Sequence, residues 1–138
     1  MRPWACLVIM TAVAFVAGWY GGAANAQAKV EPQTYELRTY TTLPGRLPAL
    51  NARFRDHTMA LFAKHGMKNV VYLTPQGEEN KLVYLLAHES KAAAEKSFAA
   101  FRMDPEWTKA REASEKDGKI VEKVESVFLT PTDYSPMK

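Results

Sequence analysis

A chain of 138 residues with 18 Lys and Arg against 15 Asp and Glu, a formal charge of +3 and one cysteine is one domain's worth of polypeptide. That balance holds no basic stripe, so nucleic-acid binding and strong attraction to anionic lipid are not expected. With Cys6 the only thiol, no disulfide framework is available and the fold must rest on its core.

The first 26 residues read as a secretory signal peptide. Arg2 is a short positive start, Ala5 to Ala17 is an apolar run, and Ala24-Asn25-Ala26 is a small-x-small cleavage site before Gln27. The alternative, an uncleaved anchor, has an apolar core short of the about 20 residues a span needs, weakened by Gly18, Gly21 and Gly22. The expectation is therefore an exported protein, periplasmic or secreted, with no stable membrane anchor after cleavage. Its mature domain would be residues 27–138, 112 residues of net charge +2 once Arg2 is gone, with no cysteine at all.

Tyr35 to Thr42 alternates and carries Thr and Tyr, which predicts a first strand. After the turn at Pro44-Gly45, Leu47, Leu50, Phe54, Thr58, Leu61 and His65 recur at helical spacing, so Leu47–His65 reads as one amphipathic helix. Gly66 stops it, and Met67 to Leu73 continues as a second strand. Pro75 to Asn80 is a polar turn, and Lys81 to His88 is a third strand, almost continuously apolar and so central. Ser90 is an N-cap for a helix from Lys91 to about Met103. Asp104-Pro105 starts a short third helix, Glu106 to Lys116, mostly solvent-facing. Gly118 ends it, Val121 to Thr130 is the fourth strand, and Pro131 to Lys138 is a tail.

The order β-α-β-β-α-(α)-β is the split βαβ pattern of a ferredoxin-like α+β domain: a four-stranded antiparallel sheet with helices on one face. Alternation sorts the strand residues into two unlike sets. Leu37, Val71, Leu73, Val83, Leu85, Val127 and Leu129 are plain aliphatics, suited to lie under the helices. Glu36, Arg38, Tyr40, Tyr72, Tyr84, Leu86, His88, Ser126 and Phe128 form a mixed, aromatic face expected to meet a second subunit or a ligand. Two such sheets packed face to face make a barrel.

Five segments resemble the NIPSNAP family, in the family's order and across essentially the whole mature chain. They are Tyr35-Glu36-Leu37-Arg38-Thr39-Tyr40, Arg53-Phe54-Arg55-Asp56-His57-Thr58, Lys64-His65-Gly66-Met67, Phe101-Arg102-Met103-Asp104-Pro105-Glu106-Trp107 and Val124-Glu125-Ser126-Val127-Phe128-Leu129-Thr130-Pro131. The resemblance implies a homodimeric α+β barrel, in agreement with the alternation. It brings no agreed enzymatic activity, and an export signal is unlike the organellar setting of the family's eukaryotic members.

Eight residues are the candidates for a ligand site. Glu36 and Arg38 share one face of the first strand with Tyr40 beyond them, and read either as a buried ion pair, as a polar anchor for an acidic ligand, or as an edge pair in water. Tyr72 and Tyr84 on paired strands read as cross-strand packing or as cavity lining with hydroxyl donors. His57 lies roughly 60° off the helix stripe, where a backbone hydrogen bond competes with a place in a cleft between helix and sheet. His65, which is not one of the eight, lies in the last helical turn and suits the helix dipole. His88 ends the third strand on the mixed face, and Trp107 reads as a packing anchor or, less readily, a ligand gate.

No metal site is expected, because His57 and His65 lie about 12 Å apart along a helix and no HxH or HxxxH spacing occurs. No cofactor is called for either: the mature chain has no Cys nucleophile, no G-x-S-x-G, no phosphate loop and no dinucleotide fingerprint. Two functions follow. The first is a non-catalytic homodimeric interaction or binding module. The alternative is a binder of a small apolar or aromatic ligand, or a cofactor-independent enzyme (oxygenase-like or haem-handling), using the barrel interior. Haem would need His57 or His88 as axial ligand.

Overall fold

The computed structural model describes residues 33–137. The expected signal peptide and its cleavage site lie outside the described residues. The strands and the helices that cover one face of their sheet follow in the expected order. They are β1 (Thr34–Thr42), α1 (Leu47–Arg53), α2 (Met59–Lys64), β2 (Lys68–Leu73), β3 (Lys81–His88), α3 (Lys91–Met103), α4 (Pro105–Ser114) and β4 (Val121–Leu129). The sheet runs β2-β3-β1-β4, antiparallel at every junction. β3 and β1 are central, as the apolar run of β3 requires.

The expected single helix 47–65 is continuous but not uniform. Between α1 and α2, Phe54–Thr58 winds as a π-turn, and Thr58 Oγ1 donates to the Arg53 carbonyl at 3.2 Å. One inserted residue advances the helix by about 100°. The buried face therefore takes Phe62 beside Leu61, while Leu50, Phe54 and Thr58 hold their expected places. Gly66, at φ 77°, turns the chain into β2. Ser90 caps α3 by accepting from the Ala93 N–H at 3.1 Å, and Asp104 caps α4 by accepting from the Glu106 N–H at 2.8 Å.

The two sheet faces are the reverse of the sequence expectation. Leu82, Tyr84, Leu86 and His88 of β3 point toward the helices and are buried, as is Glu36 of β1. They pack with Leu50, Phe54, Phe62, Met67, Phe98 and Phe101 in one core. The aliphatic set lies on the helix-free face, where Val71, Leu73, Val127 and Leu129 are 37–55% exposed. Glu36, Arg38, Tyr72 and Tyr84 are thus not available for a sheet-to-sheet interface or for the interior of a barrel between two sheets. Alternation separates the two sets without saying which one the helices choose. The helices present Phe54, Phe62, Phe98 and Phe101, and flat rings pack on rings: Phe62 meets Phe101 at 4.9 Å and Phe54 meets Tyr84 at 5.2 Å between centroids. A polar patch can also be buried under helices if its partners come with it.

The tail returns over one corner of the helix-free face. Pro131, Ser135 and Met137 border a cleft of about 250 Å³ with Tyr35, Leu85 and Leu129. Tyr35, Leu85 and Ala87 form a second small core there, all of them buried. Among the described residues, no helix is long and apolar enough to cross a membrane.

Candidate functional site

Strand pairing sets the position of the polar cluster. Arg38 is the direct partner of Tyr84 on β3 and of Ser126 on β4, while Glu36 pairs with Leu86 and Phe128. All of these side chains project toward the helices. Glu36 Oε1 accepts from Arg38 Nη1 at 2.7 Å and from Ser126 Oγ at 2.5 Å. Its Oε2 lies 3.1 Å from His88 Nε2. An ionised carboxylate only accepts, so this contact places the proton on Nε2. Burial works to raise the Glu36 pKa, but the bonds from His88 and Ser126 and the charge of Arg38 outweigh it and hold the group below its ordinary value. Burial likewise opposes the charge on Arg38, but the Glu36 carboxylate at 2.7 Å offsets it, and the guanidinium stays charged.

The guanidinium lies over the Phe98 ring at 4.4 Å and near Tyr40 at 5.8 Å. Tyr84 is fully buried among Tyr40, Phe54, Phe62 and Tyr72, with Tyr72 stacked on it at 5.2 Å. Burial drives the Tyr84 and Tyr72 hydroxyl pKa values up, which keeps both phenols protonated and able to donate. Tyr72 donates to Asn69 Oδ1, and Asn69 Nδ2 in turn donates to the Met59 carbonyl at 3.0 Å. The Tyr84 hydroxyl stands beside Tyr40 but has no hydrogen-bond partner among the protein's own groups, and neither does Arg38 Nε.

Six of the eight sequence candidates therefore converge: Glu36, Arg38, Tyr40, Tyr72, Tyr84 and His88. They meet between sheet and helices, not between two sheets. The other two lie apart. His57 is exposed in the π-turn and faces a groove of about 390 Å³ between α2 and α4, with Asp56, Leu61, Lys109 and Ala110, rather than a cleft against the sheet. Trp107 packs on Phe101 at 4.5 Å and on the Arg53 guanidinium at 5.3 Å, a packing anchor. Sequence reasoning left Phe98, Asn69 and Ser126 out of the candidate site. Phe98 lies on α3's apolar stripe and reads only as core, nothing local links Asn69 to Tyr72, and alternation places Ser126 on the same face as Glu36 and Arg38 without giving it a role. His65 does more than suit a helix dipole: its Nε2 lies 2.7 Å from Asp104 Oδ2, tying the end of α2 to the cap of α4. No group of three His, Cys, Asp or Glu side chains arranged to hold a metal occurs among the described residues.

The NIPSNAP family model matches residues 35–136, from the first residue of the Tyr35–Tyr40 segment into the tail. The chain belongs to the NIPSNAP family. Solved NIPSNAP structures share its fold. One from Agrobacterium tumefaciens is 24% identical with a TM-score of 0.68, covering 79% of this chain and 96% of its own. A NIPSNAP-like domain protein from Burkholderia xenovorans is 20% identical with a TM-score of 0.66, covering 77% and 90%. A Streptomyces coelicolor monooxygenase in complex with nanaomycin D is also similar, at 18% identity and a TM-score of 0.55, covering 78% and 95%. At these identities the likeness speaks for the fold alone. No curated protein matches the chain.

Proposed function

We propose that this NIPSNAP chain is an exported, non-catalytic module that works as a homodimer, pairing its helix-free sheet face with that of a second copy. One observation carries the reading: Val71, Leu73, Val127 and Leu129 form an exposed aliphatic face on a sheet whose other side is already covered. Such a face gains by leaving water. A second copy is the fitting occupant, because the face is self-compatible. Of its charges, Lys123 is offset by Glu125 at 2.8 Å and Lys81 pairs with Glu78. A near-neutral apolar patch does not repel its own image across a two-fold axis. The tail shields only the Tyr35–Leu85–Leu129 corner and leaves Leu73 and Val127 open.

Light scattering on residues 27–138 at micromolar concentration tests this. The expected mass is that of two chains, and Leu73→Glu/Val127→Glu is expected to be monomeric with an unchanged far-ultraviolet circular dichroism spectrum. A monomeric wild type would overturn the reading, as would a charged variant that stays dimeric. Export is tested by the mass of the secreted protein, expected to begin at Gln27; an intact Met1 end would refute it.

A further inference from the structure

The dimer uses the helix-free face and leaves the polar cluster under the helices without a task. Within that cluster Glu36 is saturated. Both carboxylate oxygens are engaged, by Arg38 and Ser126 on one side and His88 on the other. Arg38 is not saturated. It gives one amino group to Glu36, and its buried Nε–H meets no acceptor. The Tyr84 hydroxyl is wholly buried and equally unpartnered. These two are direct partners across β1 and β3 and project to the same side of the sheet. Among the described residues, four buried polar atoms lack a partner, at Arg38, Arg46, Arg53 and Tyr84, and only those of Arg38 and Tyr84 belong to residues that face one another across a strand pair. Arginine can only donate, and a phenol beside it can donate as well. What both lack is an acceptor oxygen.

The surroundings define the rest of that acceptor. Tyr40, Phe54, Tyr72 and Tyr84 lie ring against ring, with centroids 5.2–5.7 Å apart, and Phe98 holds the flat face of the guanidinium. The way in is along β4, whose helix-facing side is not roofed: Val124 is 42% exposed, Ser126 is exposed, and Arg38 keeps 17% of its side chain in contact with solvent. We propose that Arg38 Nε and the Tyr84 hydroxyl receive the carboxylate of an aromatic acid that enters beside β4 and keeps its ring on the open side of that strand, against Val124 and its partner Tyr40. A permanently charged donor favours an anion over a neutral carbonyl. The three bonds to Glu36 keep its charge turned toward Ser126 and His88.

Calorimetric titration with 1-naphthoate tests the site, with neutral 1-naphthalenemethanol as the control of equal shape. Wild type is expected to bind naphthoate, and the alcohol at least about tenfold more weakly. Tyr84→Phe removes the orphan hydroxyl and keeps the ring. It is expected to weaken naphthoate about tenfold or more while its melting temperature stays level or rises, because the hydroxyl has no protein partner to lose. Arg38→Lys, which keeps the charge without the fork, is expected to weaken naphthoate as well. No binding by wild type at millimolar naphthoate would overturn the proposal and leave the two donors to a water molecule. Equal binding by Tyr84→Phe, or a loss matched by a falling melting temperature, would overturn it too. The Leu73→Glu/Val127→Glu variant is expected to bind naphthoate as wild type does, whatever its mass.

Discussion

Glu36 and His88 meet diagonally across β1 and β3, carboxylate Oε2 to imidazole Nε2 at 3.1 Å, with side chains only 2% and 1% exposed. They stand at the sheet end where β3 runs out and α3 begins. Both side chains are buried, although Ser126, which bonds the same carboxylate, is exposed.

Removing the carboxylate therefore strands a charge. Glu36→Ala leaves Arg38 without its anion and takes a bond from His88 and from Ser126, and is expected to lower unfolding free energy by about 3–5 kcal/mol. Glu36→Gln/Arg38→Met removes both charges and is expected to recover most of that. Urea titration of the three proteins measures it; a Glu36→Ala loss under about 1 kcal/mol would refute the account.

Asp104 gives the molecule an acid limb. Lys64 at 2.9 Å, His65 at 2.7 Å and the Glu106 N–H at 2.8 Å hold its carboxyl well below the ordinary value. A carboxylate with a depressed folded pKa contributes stability that is complete above its unfolded value of about 4 and lost as pH falls through the folded one. Melting temperatures below pH 4 are expected to fall less steeply in Asp104→Asn than in wild type. Parallel curves would show that another group governs the acid limb.

Thr58 satisfies a carbonyl that the π-turn disturbs. Thr58→Val keeps the shape of this buried residue and loses the 3.2 Å bond to the Arg53 carbonyl, at an expected cost of about 1 kcal/mol. Thr58→Ser keeps the hydroxyl and is expected to retain that bond, its smaller loss reflecting one methyl group. Equal stability of wild type and Thr58→Val in chemical denaturation would mean that the hydroxyl does nothing for the turn.

Phe62 reports the helix phase. It is 1% exposed and touches Phe54, Tyr84, Phe98 and Phe101, whereas Met59 is 36% exposed. Phe62→Ala is expected to cost about 3–5 kcal/mol and Met59→Ala under 1, roughly. Similar losses at the two positions would place the helix in another rotation.

Element order, caps and turns were legible because each is written locally: Ser90 and Asp104 cap, Gly66 turns, and the strands keep their expected bounds to within a residue. The π-turn was not legible, since apolar spacing before Phe54 and after Thr58 fits a regular helix on both sides. The orientation of the sheet was not legible either. Leu37, Leu73 and Val127 read as core by composition, and only the aromatic rings of distant helices decide that Tyr84 takes that place. The candidate site came through in membership and not in position: Glu36, Arg38, Tyr84 and His88 stand together, but on the opposite side of the sheet from where the aliphatics suggested.

The tail beside Tyr35, Leu85 and Leu129 has a practical bearing on every assembly measurement. An affinity tag fused after the last residue would begin within reach of the corner at which two sheets would meet, and could wedge them apart or bridge them by itself. Oligomer masses should be recorded after such a tag has been cut away, and a chain ending at Thr130 should show whether Pro131, Ser135 and Met137 have any effect on the mass.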